Sequence, residues 1–183
     1  MRIIGGEFGG RKLTAVPGIK TRPTSARVRE AIFSTLLPVI KQSLVLDLFA
    51  GTGALGLEAL SRGAAKVEFV DFNSAALEIV RRNIQNLGVV EKTKVHKNDS
   101  LSFLQNCQEQ SYDLIFLDPP YLYSYYEDLL KTIATKGILR KNGIIVVETS
   151  SKYELIGVYF NLVLAKTRNY GDTKIWYFEH KGE

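Results

Sequence analysis

The sequence contains very little cysteine and histidine. Its 183 residues include one cysteine, Cys107, and two histidines, His96 and His180. One thiol cannot form an internal disulfide, and structural zinc sites are built from clusters of cysteine and histidine. We therefore expect neither a disulfide framework nor a metal site, and neither histidine has a partner that would suggest catalysis.

Long apolar runs are also missing. No stretch approaches the roughly 20 apolar residues that a membrane-spanning helix needs, and the first residues, MRIIGG, lack the apolar core of a signal peptide. The composition of 45% hydrophobic and 23% charged residues is ordinary for a globular protein. We expect a monomeric cytoplasmic protein without membrane contact, folded as a single domain over residues 1–183.

Acidic residues are scarce in the N-terminal fifth of the chain. Residues 1–41 contain eight lysines and arginines but only two glutamates, whereas the rest of the chain is nearly neutral. Positive charge concentrated in an arm and one helix is suited to a polyanion such as RNA, and a solvated basic face is the alternative. The candidate phosphate ligands are Arg11, Lys12, Arg22, Arg27 and Arg29.

The glycine-rich stretch Val45–Leu57 reads VLDLFAGTGALGL. Its apolar, strand-like start breaks at Gly51 and Gly53 and continues as a helix-forming segment, which predicts a strand, a tight turn and a helix. Glycines allow a sharp turn and leave bare N–H groups at the helix N-terminus, where a ligand can lie. The spacing also matches the dinucleotide fingerprint Gly-x-Gly-x-x-Gly, so an NAD site is an alternative.

Strand and helix patterns alternate from residue 44 onwards, which predicts a parallel sheet covered by helices on both faces. A first helix begins near Ser25 and is expected to end at Pro38, after an N-terminal arm that is flexible or hairpin-like. An antiparallel hairpin is predicted around the turn at 169–172. The predicted strands are 44–49, 66–71, 94–98, 112–118 and 143–149, and the further helices are 54–62, 74–87, 100–107, 125–136 and 152–158.

Acidic residues stand where ligands bind in such sheets. Asp47 lies within the first strand, Asp71 ends the second and Asp99 ends the third. Because the carboxyl ends of parallel strands share one rim, we expect these acids to converge there. Asp71 suits the ribose hydroxyls of an adenosine and Asp99 the adenine amino group, although a helix cap is the alternative for each acid.

S-adenosylmethionine (SAM) fits this acidic rim better than NAD does, because SAM carries an ammonium and a sulfonium but no pyrophosphate. Asp47 is placed to orient the ammonium. The predicted cofactor-binding residues are Asp47, Ala50, Gly51, Thr52, Gly53, Asp71, Phe72, Asp99 and Ser100.

The fourth strand ends in the tetrapeptide Asp118-Pro119-Pro120-Tyr121. Two prolines stiffen the chain and remove two donors, so nearby acceptors stay free. Asp118 and the Pro119 carbonyl can each accept an N–H of a base amino group, which aims its lone pair at a methyl donor. Tyr121 can stack on the base. We predict Asp118, Pro119 and Tyr121 as catalytic residues; a strand-terminating turn with an exposed tyrosine is the alternative.

These motifs resemble class I methyltransferases and, more closely, the bacterial RsmD family. The resemblance rests on IIGG at 3–6, GRKL at 10–13, RPT at 22–24, RVREAIF at 27–33, DLFAGTG at 47–53 and DPPY at 118–121. It implies a Rossmann-like fold with a mostly parallel twisted sheet and a C-terminal antiparallel hairpin. It also implies methylation of a guanine N2 in 16S ribosomal RNA with SAM, with residues 22–33 lying over the cofactor and Asp118 and Tyr121 addressing the base.

The length of the chain bears on the substrate. DNA base methyltransferases commonly carry a separate target-reading domain, for which one domain of 183 residues has no room. We therefore expect a folded RNA that presents its own base, namely 16S RNA in the small subunit or an assembly intermediate. The alternatives are a DNA adenine-N6 methyltransferase, a protein-glutamine methyltransferase, which would more often have asparagine in place of Asp118, and a non-enzymatic RNA-binding module.

Overall fold

The computed structural model describes residues 1–15, 24–119 and 125–181. The helices of this part of the chain are α1 (Ala26–Ile40), α2 (Ala54–Ser61), α3 (Ser74–Leu87), α4 (Ser100–Gln105) and α5 (Tyr126–Thr135). The strands are β1 (Leu44–Asp47), β2 (Lys66–Asp71), β3 (Thr93–Lys97), β4 (Tyr112–Leu117), β5 (Leu139–Ser150), β6 (Val158–Tyr159), β7 (Leu162–Tyr170) and β8 (Thr173–His180).

The strands form one sheet in the order β3-β2-β1-β4-β5-β8-β7-β6. Strands β1 to β5 pair with one another in parallel, whereas β8, β7 and β6 add antiparallel pairs beyond β5 at one edge. The strand order reverses between β1 and β4, and ligands in such sheets bind beside this point at the carboxyl ends of the strands. The predicted fold class, including the closing hairpin of β7 and β8, is confirmed.

Helices cover the two faces of the sheet, and each face has its own apolar core. Phe33 of α1, Leu57 of α2 and Val80 of α3 pack in one core. Leu104 of α4 and Leu129 of α5 pack in the other. Because the central strands contribute apolar side chains to both cores, β1 and β4 read as nearly continuous hydrophobic runs.

The N-terminal arm lies against α2 and α3. An isolated antiparallel bridge joins Arg2 to Lys12, and the side chains of Ile3 and Leu13 on either side of the turn are buried. Residues 1–15 therefore form a short hairpin-like segment packed onto the domain, in agreement with the hairpin alternative, and the rest of the predicted arm, 16–22, lies outside the described residues.

The predicted ends of β1 and α4 are each two residues too late, and three further errors have an evident physical cause. The first helix continues through Pro38 to Ile40, because the buried side chain of Ile40 keeps the last turn on the core. Strand β5 begins at Leu139, four residues earlier than predicted.

The third error is the helix predicted at 152–158, where the chain is irregular before forming β6. Pairing of β6 with β7 and burial of Tyr159 against Phe178 (ring centroids 5.7 Å apart) decide the conformation of this segment. Within the described ranges, no helix is long and apolar enough to cross a membrane.

Candidate active site

The loop between β1 and α2 is shaped by three glycines. Gly51 and Gly53 have φ of 52° and 77°, in the left-handed region that favours glycine. At Gly56 an added Cβ would lie 2.3 Å from a ring atom of Phe69, so this glycine lets α2 pack close to the sheet. The loop thus presents backbone groups at the start of an eight-residue helix, as the sequence predicts.

Asp47 at the end of β1 binds the first turn of α2, directly after this loop. Its Oδ2 accepts a hydrogen bond from the Gly56 N–H at 2.9 Å, and the side chain is buried. Burial raises the pKa of Asp47 to about 7, the negative charge of Asp71 raises it further, and the Gly56 hydrogen bond opposes the shift. The structure therefore gives Asp47 a role in fixing the loop, and its contact with a ligand ammonium stays a prediction.

Asp47→Asn is expected to stabilise the folded protein increasingly as the pH rises. The carboxyl has a pKa of about 7 when folded and an ordinary value of 3.8. The buried charge thus has no effect on the free energy of unfolding below pH 4 and lowers it progressively up to pH 7. The total loss is a few kcal/mol, because a difference of one in pKa corresponds to about 1.4 kcal/mol. An amide oxygen can still accept the Gly56 N–H. Urea unfolding at pH 4, 6 and 8 measures this, with the exposed Asp128→Asn on α5 as control; a pH-independent difference would contradict it.

Asp71 joins the glycine loop to the next loop. Its Oδ2 accepts from the Gly51 N–H at 2.9 Å and its Oδ1 from the Asn73 N–H at 2.8 Å. A carboxylate offers about four lone-pair positions, so both oxygens retain capacity for ribose hydroxyls. Phe72 beside it is 68% exposed, which leaves an aromatic face open at the rim.

Asp99 and Ser100 follow β3. Asp99 is exposed and its Oδ1 accepts from the Ser102 N–H at 3.0 Å, which makes it the N-cap of α4. The helix-cap interpretation is thus correct for Asp99. Its contact with adenine stays a prediction that relies on the other carboxylate oxygen, and Ser100 is buried.

Asp118 stands directly after β4 at the same rim. It is half-buried, and its Oδ2 lies 3.2 Å from the hydroxyl oxygen of Thr24. The same hydroxyl lies 2.7 Å from Oε2 of Glu148. Burial raises the pKa of Asp118 well above its ordinary value, and the charges of Glu148 and Asp47 raise it further. Asp47 therefore interacts electrostatically with both Asp71 and Asp118, whereas the predicted convergence of Asp99 with Asp47 and Asp71 stays a prediction.

The remaining predicted residues fall into three groups. Ala50 and Pro119 are buried, whereas Thr52 is partly exposed in the glycine loop. Arg22 and Tyr121 lie outside the described residues.

Among the basic candidates, Arg11, Lys12 and Arg27 are exposed, and the Arg11 guanidinium donates to the Asn86 carbonyl. The prediction that Arg29 contacts RNA is wrong. Its side chain is buried, it donates to the Arg2 carbonyl at 2.9 Å, and it lies 4.0 Å from Glu58. The arm covers the face of α1 on which Arg29 lies.

Sequence reasoning missed three polar residues near the rim. Glu148 is a single charge within the apolar run of β5, which is a visible signal, and Thr24 was recognised only as part of a motif. Asn83 of α3 is fully buried. Its amide donates to the Thr14 carbonyl at 3.1 Å and to the Thr52 carbonyl at 3.0 Å, so it joins the arm to the glycine loop.

The polar and aromatic groups at the rim fit a cationic adenosine cofactor. Backbone N–H groups, a carboxylate at the end of β2 and an exposed aromatic ring are the groups that an adenosine requires. Asp71, together with Asp47 and Asp118 when these are ionised, would repel a pyrophosphate but attract an ammonium or sulfonium. The residues present therefore fit SAM and disfavour NAD.

The strand order, the glycine loop after β1 and the acidic rim define the class I methyltransferase fold. A family described as "Conserved hypothetical protein 95" matches residues 1–179. The chain belongs to this family, the RsmD family.

Individual relatives agree with the family. "Ribosomal RNA small subunit methyltransferase D" of Haemophilus influenzae is 40% identical over 85% of this chain and 82% of its own. The protein of the same name from Escherichia coli K12 is 35% identical over 100% of this chain and 92% of its own. The solved structure of yhhF from Escherichia coli, described as a candidate methyltransferase, has a TM-score of 0.88 at 33% identity. It covers 100% of this chain and 99% of that one.

Proposed function

We propose that this protein transfers a methyl group from SAM to the exocyclic N2 amino group of a guanine in 16S ribosomal RNA. The observation that carries the proposal is Asp118, a carboxyl group at the end of β4 on the same rim as the glycine loop. Membership of the RsmD family, with relatives named as small-subunit ribosomal RNA methyltransferases, supports the choice of substrate.

Different residues of the rim bind different parts of the cofactor. Asp71 accepts from the ribose hydroxyls, Phe72 packs on the adenine ring and Asp99 accepts from the adenine amino group. The glycine loop and Asp47 hold the methionine part. SAM supplies a methyl group whose bond to sulfur breaks as the new bond to nitrogen forms.

Asp118 and the Pro119 carbonyl act on the base. The lone pair of an exocyclic amino group is delocalised into the ring, so the group must be oriented before it reacts. Two fixed acceptors for its N–H groups aim the lone pair and stabilise the positive charge that develops on nitrogen. Tyr121 stacks on the base in this arrangement.

Cysteine and histidine take no part in this chemistry. Burial raises the pKa of Cys107 to about 11, so the thiol stays protonated at neutral pH and is a poor nucleophile. The His96 ring is paired with Glu68 at 2.7 Å, and the His180 ring lies 2.9 Å from the Leu139 carbonyl oxygen.

RNA binds through the exposed basic residues of the arm and of α1. Arg2, Arg11, Lys12 and Arg27 are exposed on segments packed next to the glycine loop and Thr24. Such contacts hold phosphates without reading sequence, so the folded RNA itself must present the guanine.

Asp71→Ala is expected to weaken SAM binding by at least about tenfold. The change removes charge-assisted hydrogen bonds worth roughly 1.5–3 kcal/mol each and also releases the Gly51 N–H from its acceptor. Calorimetric titration of folded variant and wild type with SAM measures the loss, with Asp128→Ala on α5 as the control. Unchanged affinity would remove Asp71 from the cofactor site.

The proposed reaction is tested by incubating the protein with methyl-labelled SAM. Small ribosomal subunits, naked 16S RNA and duplex DNA are offered separately. We expect label in the ribosomal RNA and none in the DNA. Label in DNA would favour the adenine-N6 alternative, and RNA binding without label or SAM affinity would favour a non-enzymatic module.

A further inference from the structure

Glu148 is a buried carboxyl group for which the proposed reaction has so far no use. It lies near the end of β5, next to β4, and its side chain is among the charged groups that are almost completely buried. Its Oε2 is 2.7 Å from the Thr24 hydroxyl oxygen, and Asp118 Oδ2 is 3.2 Å from the same atom. One hydroxyl therefore bridges two carboxyl groups that stand at the reacting end of the sheet.

The bridge restricts where protons can be. A hydroxyl has one proton to donate and lone pairs with which to accept. With both carboxyl groups ionised, Thr24 can donate to only one of them. With a proton on Asp118, that proton can be donated to Thr24 while Thr24 donates to Glu148, and every contact in the chain is satisfied. Thr24 lies within hydrogen-bond distance of both carboxyl groups, so it can donate to Asp118 while Asp118 is ionised and to Glu148 once Asp118 is protonated.

Within the described part of the chain, side chains from β5, from β1 and from the residue before the N-cap of α1 act on Asp118. Glu148 from β5 and Asp47 from β1 both favour its protonated form, as does burial. Thr24, which precedes α1, opposes them by donating to the carboxylate. Asp71 from β2 acts on Asp47. Glu148 and Thr24 thus shift the pKa of Asp118 in opposite directions.

We propose that Glu148 is a positioning residue that makes Asp118 the acceptor of the proton released by the substrate's amino group. This inference rests on the proposed function. As the methyl group passes from sulfur to N2, positive charge develops on the nitrogen and a proton leaves it: the N–H bond breaks, its electron pair returns to nitrogen, and an O–H bond forms on Asp118. Asp118 then donates to Thr24 and Thr24 donates to Glu148. A carboxylate without such a partner is a weaker base.

The effect of Glu148 on Asp118 can be measured in the protein without SAM or RNA. The side-chain carboxyl of Asp118 is followed by carbon-13 NMR during a pH titration of wild type and three variants. We expect Asp118 to titrate above its ordinary range in wild type, at lower pH in Glu148→Gln and at higher pH in Thr24→Val. Thr24→Ser keeps the hydroxyl and should behave as wild type. Thermal unfolding checks that each variant is folded.

Kinetics then test the role in the reaction. In the pH profile of single-turnover methylation, the acid limb should move to lower pH in Glu148→Gln and to higher pH in Thr24→Val. The plateau rate of Glu148→Gln should fall about tenfold with KM for the RNA unchanged, because Asp118 has become a weaker base.

If Glu148 and Thr24 had only a structural role, the acid limb would move in the same direction in Glu148→Gln and Thr24→Val, or would not move in either variant. Either result overturns the inference. If wild type transfers no methyl to ribosomal RNA, the proposed function fails, whereas the NMR titration still decides whether the pair exists.

Discussion

Asp118→Ala is expected to slow methyl transfer about 10²–10³-fold while SAM affinity changes little. Removal of one preorganised group at the reacting centre costs roughly 3–4 kcal/mol in comparable sites. Asp118 contacts Thr24, and the hydrogen bonds that Asp71 and Asp47 accept from Gly51 and Gly56 do not involve it, so the cofactor site should survive. The loss should appear in the rate of the chemical step because the amino group is no longer oriented.

Single-turnover methylation of small ribosomal subunits at saturating SAM measures this effect. Cys107→Ser is the control and should react as wild type, because its protonated thiol lies outside the rim. Tyr121→Ala should lose roughly 1–3 kcal/mol of base stacking. Near-normal transfer by Asp118→Ala, or an inactive but folded Cys107→Ser, would contradict the mechanism.

Glu58→Ala is expected to destabilise the protein by about 3–5 kcal/mol and to release the N-terminal arm. The buried Glu58 carboxylate accepts from the N–H groups of Ile4 (2.7 Å) and Gly5 (2.9 Å) and from Arg62 Nε (2.8 Å). Its charge also supports the buried Arg29, whose pKa burial lowers. Removing one partner leaves buried donors and an uncompensated charge, which is costly.

Urea unfolding gives the stability loss, and hydrogen exchange locates it. Protection should be lost at the Ile3 and Leu13 amides, which bond to the Arg11 and Met1 carbonyls across the arm. Glu30→Ala on the exposed face of α1 is the matched control and should be nearly neutral. An arm that keeps its protection in Glu58→Ala would show that apolar packing alone holds it.

Local patterns were sufficient for most of the sheet. The bounds of β2 and α3 agree with the sequence prediction because apolar periodicity and the Asn73 cap both act over a few residues. The segment at 152–158 was mispredicted because its conformation depends on pairing with β7, a contact that propensity does not report. Pro38 was given too much weight, since core packing of Ile40 outweighs one lost hydrogen bond.

The site was predictable where the topology alone places residues. Acids at the ends of parallel strands must share a rim, which the sequence indicates for Asp47, Asp71 and Asp99, and the tetrapeptide after the fourth strand separately indicates Asp118. The Thr24–Glu148 contact joins residues 124 positions apart and has no local signal. Arg29 was misjudged for the same reason, because the arm that covers it is anchored by Glu58 on a later helix.

The central claim is that this chain methylates N2 of a guanine in 16S RNA, and the labelled nucleoside tests it most directly. Small ribosomal subunits are incubated with the protein and methyl-labelled SAM, and the RNA is digested to nucleosides and analysed by mass spectrometry. The account predicts that the label is recovered as N2-methylguanosine with wild type and is reduced about 10²–10³-fold with Asp118→Ala. Label on adenine N6 or cytosine N4, or equal label with Asp118→Ala, would contradict it.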